Sequence, residues 1–175
     1  ARYFGMRDYG RLFGIHLRQG NRNRILNNRV TGRPAPRGAR GDGLRLWNSR
    51  HNRIEGNAFK VVRDLTFANS PDNRILGNTL TDGRYGMQFI FSPRARVENN
   101  HLSDTDTGIA VLYSPELTLR GNTIAHALDG GMQRIADAGR AATMDIGDAW
   151  WLDVDDARAH ALAEAEAPQR LAEIY

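Results

Sequence analysis

A repeat of about 22 residues runs from residue 14 to residue 126 and constrains the fold more than any other feature. A strand-like pattern recurs five times, as GIHLRQG, GLRLWNS, DLTFANS, GMQFIFS and GIAVLYS, with starts 29, 21, 22 and 22 residues apart. A second pattern follows each copy and ends, at the same intervals, on Asn28, Asn57, Asn78, Asn100 and Asn122. Because two patterns keep one register, the repeat indicates stacked structural units.

Alternation within these segments predicts which side chains face inward, because successive strand residues point to opposite sides. Four columns of equivalent positions are apolar in all five copies. They are Ile15, Leu44, Leu65, Met87 and Ile109; Leu17, Leu46, Phe67, Phe89 and Val111; Ile25, Ile54, Ile75, Val97 and Leu119; and Val30, Phe59, Leu80, Leu102 and Ile124. One such unit cannot close a core alone, but stacked units can. We therefore predict an all-β chain, a right-handed parallel β-helix of about five 21–22-residue coils.

The recurrent Asn column and a Ser column (Ser49, Ser70, Ser92, Ser114) have a structural interpretation. Asn tolerates the left-handed backbone of tight turns, and stacked polar side chains can bond along the axis. The longer first interval falls in residues 31–43, whose two Pro, four Gly and three Arg predict a loop at one corner. Such a loop fits either a binding role or a solvated linker.

The regular pattern weakens beyond residue 128. A further strand beginning at Gly130 would place Gly131, Gln133 and Ile135 inward, and two of these cannot fill a core. We therefore assign residues 1–128 to the β-helix. Residues 129–175 are expected to form a small α/β capping segment with a helix near 156–166.

Outward-facing columns are the places to look for function. One row runs Arg18, Trp47, Ala68, Ile90 and Leu112. Its apolar members Trp47, Ile90 and Leu112, beside Arg45 and Gln88, form a candidate docking surface. The alternative is that the tail or another chain covers this row as core.

A second column contains Asp82, Asp104 and His126, spaced 22 and 22 residues apart, with Arg84 nearby. Stacked carboxylates beside an imidazole could act as an acid/base pair or hold a hard cation. The alternative is that these are turn residues at a corner, where Asp is common.

The amino-acid composition narrows the classes of function that remain possible. The chain has no Cys, which excludes disulfides and thiolate chemistry, and its five His are scattered. No window of 18 apolar residues exists, so no membrane span is expected. A net charge of +4 and a pI near 9.9 raise nucleic acid as a partner, and Arg24, Arg53 and Arg74 stack into a basic column. Aromatic stacking platforms are not evident there, so nucleic acid is not favoured.

The segments GDGLRLWNS, DGRYGMQFIFS and TGIAVLYSPELTLRGN resemble the NosD-type periplasmic accessory protein of nitrous oxide reductase, over about residues 12–128. The resemblance implies a β-helix of the carbohydrate-binding and sugar-hydrolase repeat type, in the periplasm. It also implies a role in copper-site maturation, with the reductase or an ABC transporter as partner. Family members are expected to carry His and Met ligands where this chain has Gln88, Ile90 and Leu112.

The tail segment GRAATMDIGDAWWLDVDDARAHALAEAE, about residues 139–166, resembles the C-terminal end of sugar-phosphate nucleotidyltransferases. That resemblance implies a Mg²⁺ ligand at Asp153.

Two functions remain open from the sequence. The first is a non-catalytic scaffold of the copper-maturation type that docks partners on its flat faces. The second is a polysaccharide lyase or C5 epimerase that uses Asp82, Asp104, His126 and Arg84 on an acidic polysaccharide, a substrate that net positive charge would suit.

Overall fold

The computed structural model describes residues 13–128 and 130–135. These residues form a parallel β-solenoid of about four turns, which confirms the predicted parallel β-helix. The strands are β1 (Ile15–Arg18), β2 (Arg24–Leu26), β3 (Arg29–Thr31), β4 (Leu44–Trp47), β5 (Arg53–Glu55), β6 (Ala58–Lys60), β7 (Asp64–Ala68), β8 (Arg74–Leu76), β9 (Thr79–Ile90), β10 (Arg96–Glu98), β11 (His101–Leu112), β12 (Thr118–Arg120), β13 (Thr123–Ala125) and β14 (Gly130–Ile135). A 3₁₀ turn spans Arg37–Ala39 in the inserted loop.

Two parallel sheets run along the solenoid. The larger sheet has the order β1–β4–β7–β9–β11–β13, with β3 and β6 joining through β9 and with β14 pairing to β11. The smaller sheet has the order β2–β5–β8–β10–β12. Each strand pairs with the equivalent strand of the next coil, so equivalent positions lie above one another, about 4.8 Å apart.

The four predicted inward columns are in the core. Leu46, Phe67 and Phe89 are fully buried, and the two phenyl rings stack with centroids 4.8 Å apart. The third and fourth columns are aligned in the same way, with Ile54 opposite Ile75 and Phe59 opposite Leu80. The apolar interior therefore continues through successive coils, as the alternation predicts.

Tight turns with a left-handed backbone mark three corners of the first coil and four corners of the coils that follow. Positive φ angles recur at equivalent positions of successive coils. The four columns are Gln19, Asn48, Asn69, Phe91 and Tyr113; Arg22, His51, Asp72, Arg94 and Glu116; Asn27, Gly56, Gly77, Asn99 and Gly121; and Val61, Asp82, Asp104 and His126. Asn, Asp and Gly suit this conformation, whereas Val, Phe and Tyr adopt it at a cost.

The Asn and Ser columns are structural, as their spacing suggests. The Oδ1 atom of Asn78 accepts hydrogen bonds from the backbone N–H and the Nδ2 group of Asn57, at 3.0 and 2.9 Å. The same pair of bonds joins Asn78 to Asn100. In the Ser column, the backbone N–H of Ser70 donates to Oγ of Ser92 at 3.0 Å. Buried donors at these turns are thus satisfied along the axis.

The larger sheet extends past residue 128, because β14 pairs in parallel with β11. The predicted register for this strand is wrong by one residue. Met132, and not Gly131, lies opposite Ile109. The proposed capping segment, including the helix near 156–166, lies outside the described residues. Among residues 13–128 and 130–135, no helix has the length and apolar character needed to cross a membrane.

Candidate functional site

The predicted acidic column forms one corner of the solenoid, which we call the acidic corner (Asp82, Asp104 and His126). All three residues adopt a left-handed backbone, with φ angles of 61°, 54° and 55°. Nδ1 of His126 lies 3.3 Å from Oδ1 of Asp104, and both side chains are largely exposed. The structure therefore brings Asp104 and His126 into contact at a corner.

The inserted loop packs onto this corner. Arg37 pairs through Nε with Oδ1 of Asp82 at 3.2 Å, and its guanidinium also donates to Asp106 and to the backbone oxygen of Asp104. Arg40, whose side chain is only 10% exposed, pairs with the same Asp82 oxygen at 2.9 Å. The loop is thus anchored to the solenoid by two arginines and is not a free linker.

These arginines set the charge state of Asp82. The hydrogen bond from Arg40 lowers the pKa of the Asp82 carboxyl below its ordinary value, and Arg37 lowers it further against the opposing effect of burial. A general acid needs a raised pKa so that it holds a proton near neutral pH. Asp82 is therefore a structural anion that holds the loop.

Arg84 lies away from the acidic corner. Its guanidinium grips Asp64, with Nε 3.1 Å from Oδ1 and with Nη2 on Oδ2, and it lies over the ring of Tyr85. The fully buried Asp64 also accepts the backbone N–H of Tyr85 at 3.0 Å. Arg63 bridges the buried carboxylates of Asp64 and Asp42.

This buried ion-pair network is missed by the sequence analysis. A signal for it exists, because Asp64 occupies the position at which the other four strand copies begin with Gly. The hydrogen bond that Arg84 donates to Asp64 raises the pKa of Arg84, against the opposing effect of burial. Arg84 is therefore held in place as a cation, and Asp64 has a structural role.

The predicted docking row is half-buried. Trp47, Ile90 and Leu112 are each partly exposed, whereas Ala68 between them is buried. Arg45 lies beside the row with its guanidinium 5.5 Å from the centre of the Trp47 ring. Gln88 is aligned with Thr66 and Ala110 in the neighbouring column.

A more exposed apolar feature lies at the adjacent corner. Phe91 and Tyr113 are 53% and 49% exposed, and their rings stack with centroids 5.0 Å apart and an interplanar angle of 9°. Both have a positive φ of 47°. This pair is not among the sequence-predicted site residues. The same column carries Asn48 and Asn69 in earlier coils, so two bulky aromatic residues there are a departure that the sequence shows. We call Trp47, Ile90, Phe91, Leu112 and Tyr113 the docking face.

The described residues do not fit a resident copper ion. In that part of the chain, no group of three or more His, Cys, Asp or Glu could hold a metal. The positions expected to carry soft ligands hold Gln88, Ile90 and Leu112, and Met87 is fully buried in the core. Asp153, the suggested Mg²⁺ ligand, lies outside the described residues.

Comparison with known proteins places this geometry in a family. No curated protein matches the chain. A family model described as "Periplasmic copper-binding protein (NosD)" matches residues 26–138, which include most of the solenoid. The match and the parallel β-solenoid agree, and the chain belongs to the NosD family.

Proposed function

We propose that this chain is a non-catalytic β-helix scaffold that assists copper-site maturation of nitrous oxide reductase in the periplasm by docking a protein partner. The partner in this proposal is the reductase itself. Binding of the ABC transporter of the same system is the competing outcome of the test. Family membership supports the copper-related accessory role. The docking face supports the mode of action.

The observation that carries the proposal is the exposed Phe91–Tyr113 stack. Large aromatic side chains are enriched at the centres of protein interfaces, where a partner removes them from water. Here both rings are about half exposed and both stand on a left-handed backbone, which disfavours bulky residues. The unfavourable backbone conformation occurs at two successive coils, and the two exposed rings that it presents would contact the partner.

The geometry favours this function over a polysaccharide lyase or epimerase. In the acidic corner, Asp82 is engaged by Arg37 and Arg40, and its pKa is lowered by them. Arg84 is engaged by the buried Asp64. Of the four residues suggested for catalysis, Asp104 and His126 alone make a mutual contact at the surface.

The test uses surface plasmon resonance between the purified chain and purified metal-free reductase. The variant Phe91→Asn with Tyr113→Asn removes both rings but keeps the fold, because Asn48 and Asn69 occupy the same corner with φ angles of 49° and 47°. We expect at least a roughly tenfold loss of affinity, as for truncation of interface anchors.

Leu128→Asn is the matched control, because Leu128 is 73% exposed and lies outside the docking face. Its affinity for the reductase should match that of the unmodified chain. Equal binding by the double variant, or binding of the transporter without binding of the reductase, would reject this form of the proposal.

A further inference from the structure

The smaller sheet presents four arginines in one line along the solenoid axis. Arg24 of β2, Arg53 of β5, Arg74 of β8 and Arg96 of β10 are aligned in register, and Thr118 of β12 continues the line. We call these four residues the arginine ladder. Like charges that lie directly opposite one another on neighbouring strands destabilise a sheet. This arrangement therefore opposes folding unless a counter-charge accompanies it.

Most of the ladder has no counter-charge within the part of the chain that the structure describes. Arg53 pairs with Glu55 on its own strand. Arg24, Arg74 and Arg96 are exposed, and no ion pair joins them to a carboxylate of residues 13–128. These three guanidiniums are available to an external anion.

An open groove of about 430 Å³ lies beside two members of the ladder, Arg74 and Arg96. Its lining includes one corner column, His51, Asp72, Arg94 and Glu116, together with Arg74 and Arg96 of the ladder. The carboxylate of Asp72 grips Arg94 at 2.7 and 2.9 Å, so this arginine is fixed as part of the wall. Because the lining residues come from four successive coils, the groove is parallel to the axis and suits a linear ligand.

We propose that the groove and the arginine ladder bind an extended acidic polysaccharide whose uronate carboxylates pair with successive arginines. The guanidinium fork matches a carboxylate with two parallel hydrogen bonds. A uronate chain carries one carboxylate per sugar, so a chain that lies along the axis can offer carboxylates to arginines of successive coils, which are about 4.8 Å apart. An extended peptide strand presents same-side residues about 6.6 Å apart and loses register after one or two steps.

Other polyanions fit the surface less well. Single-stranded nucleic acids bind through aromatic platforms, and none of the residues that line this groove is Phe, Tyr or Trp. A membrane surface is flat, whereas Arg74 and Arg96 border a groove. The ligand lies on the smaller sheet, so this inference goes beyond the proposed scaffold function and does not depend on the docking face.

The experiment is calorimetric titration of the purified chain with tetragalacturonate, an oligomer with one carboxylate per ladder position. The variant Arg74→Thr with Arg96→Thr weakens binding at least tenfold if each arginine contributes a charge-assisted hydrogen bond. Threonine is chosen because Thr118 already occupies this line, so the variant should fold. Digalacturonate should bind more weakly than the tetramer, since it spans half of the ladder.

Arg18→Thr with Arg29→Thr is the control, because it removes two exposed arginines from the larger sheet. Its affinity should stay within about twofold of that of the unmodified chain, and fully methyl-esterified tetragalacturonate should not bind. Equal losses in both double variants would overturn the proposal in favour of general charge attraction. Tighter binding of oligothymidylate, binding of anionic vesicles without tetragalacturonate, or no binding of tetragalacturonate would also overturn it.

Discussion

Two columns of polar residues recur in this solenoid with similar spacing, and the fold holds them in different ways. In the Asn column, each buried amide bonds to the equivalent residue of the next coil. In the acidic corner, Asp82 is held by arginines of a distant loop, and Asp104 contacts His126. Periodicity thus predicts that residues stack. It does not predict whether the stacked side chains bond to one another, as in the Asn column, or to residues elsewhere, as at Asp82.

The largest change in the free energy of unfolding is expected from Asn78→Ala. This change leaves the backbone N–H and Nδ2 of Asn57 and the backbone oxygen of Ile54 without their partner in the buried column. We expect the free energy of unfolding to fall by about 3 kcal/mol, measured by urea denaturation. Asn99→Gly is the control and should be near neutral, because Gly77 and Gly121 occupy that corner in adjacent coils. A similar loss in both variants would show that the effect does not come from the hydrogen bonds of the buried Asn column.

An intermediate effect is expected from Asp82→Asn at the acidic corner. The pKa of Asp82 is lowered in the folded chain, so its ion pairs stabilise the fold above the ordinary carboxyl pKa of about 4, and this contribution is lost as pH falls through the folded-state pKa. Because the Asp82 side chain is 33% exposed, solvent screening limits the loss at pH 7 to about 1 kcal/mol.

Urea denaturation of both proteins between pH 7 and pH 2.5 measures this contribution of Asp82. The two stability curves should converge at the acid end, where both side chains are uncharged. Asp104→Asn is the control and should change stability less, because its carboxylate contacts the highly exposed His126. A difference that persists unchanged at low pH would show that the ion pairs with Arg37 and Arg40 do not hold the loop.

The smallest effect is expected from Val61→Asn, in the same corner column as Asp82. Val61 has a φ of 56°, a conformation that β-branched residues rarely adopt and that Asn tolerates. We expect a gain of about 0.5 kcal/mol in the free energy of unfolding, measured by thermal or urea denaturation. The reverse change, Asn48→Val, should lower stability by a similar amount at a corner where φ is 49°.

Much of the fold follows from the sequence because strand alternation and coil period act on every repeat alike. The prediction of an inward Phe67 or Ile75 needs the period alone, and both are buried. The register of β14 is different, because Met132 lies 23 residues after Ile109, one more than the preceding coil interval. A single added residue before β14 reverses which of its positions align with the inward column, and the sequence pattern does not show that this residue is present.

The candidate sites were less predictable than the core. The contacts of Arg37 and Arg40 with the acidic corner join residues 42 to 67 positions apart, and no local pattern encodes such contacts. Arg84 is two residues from Asp82 in sequence, yet it pairs with Asp64 of the previous coil. Side-chain partners across coils depend on reach and orientation, which the spacing of residue types does not specify.

The inserted loop has a consequence for how the solenoid comes apart. In stacked repeats, each unit normally touches its immediate neighbours, so terminal units can fray independently. Here the loop leaves the first coil and reaches Asp82 in the third coil and Asp106 in the fourth. Unwinding of either the first or the fourth coil must therefore break contacts that also hold the other, so the loop ties these coils into one cooperative unit.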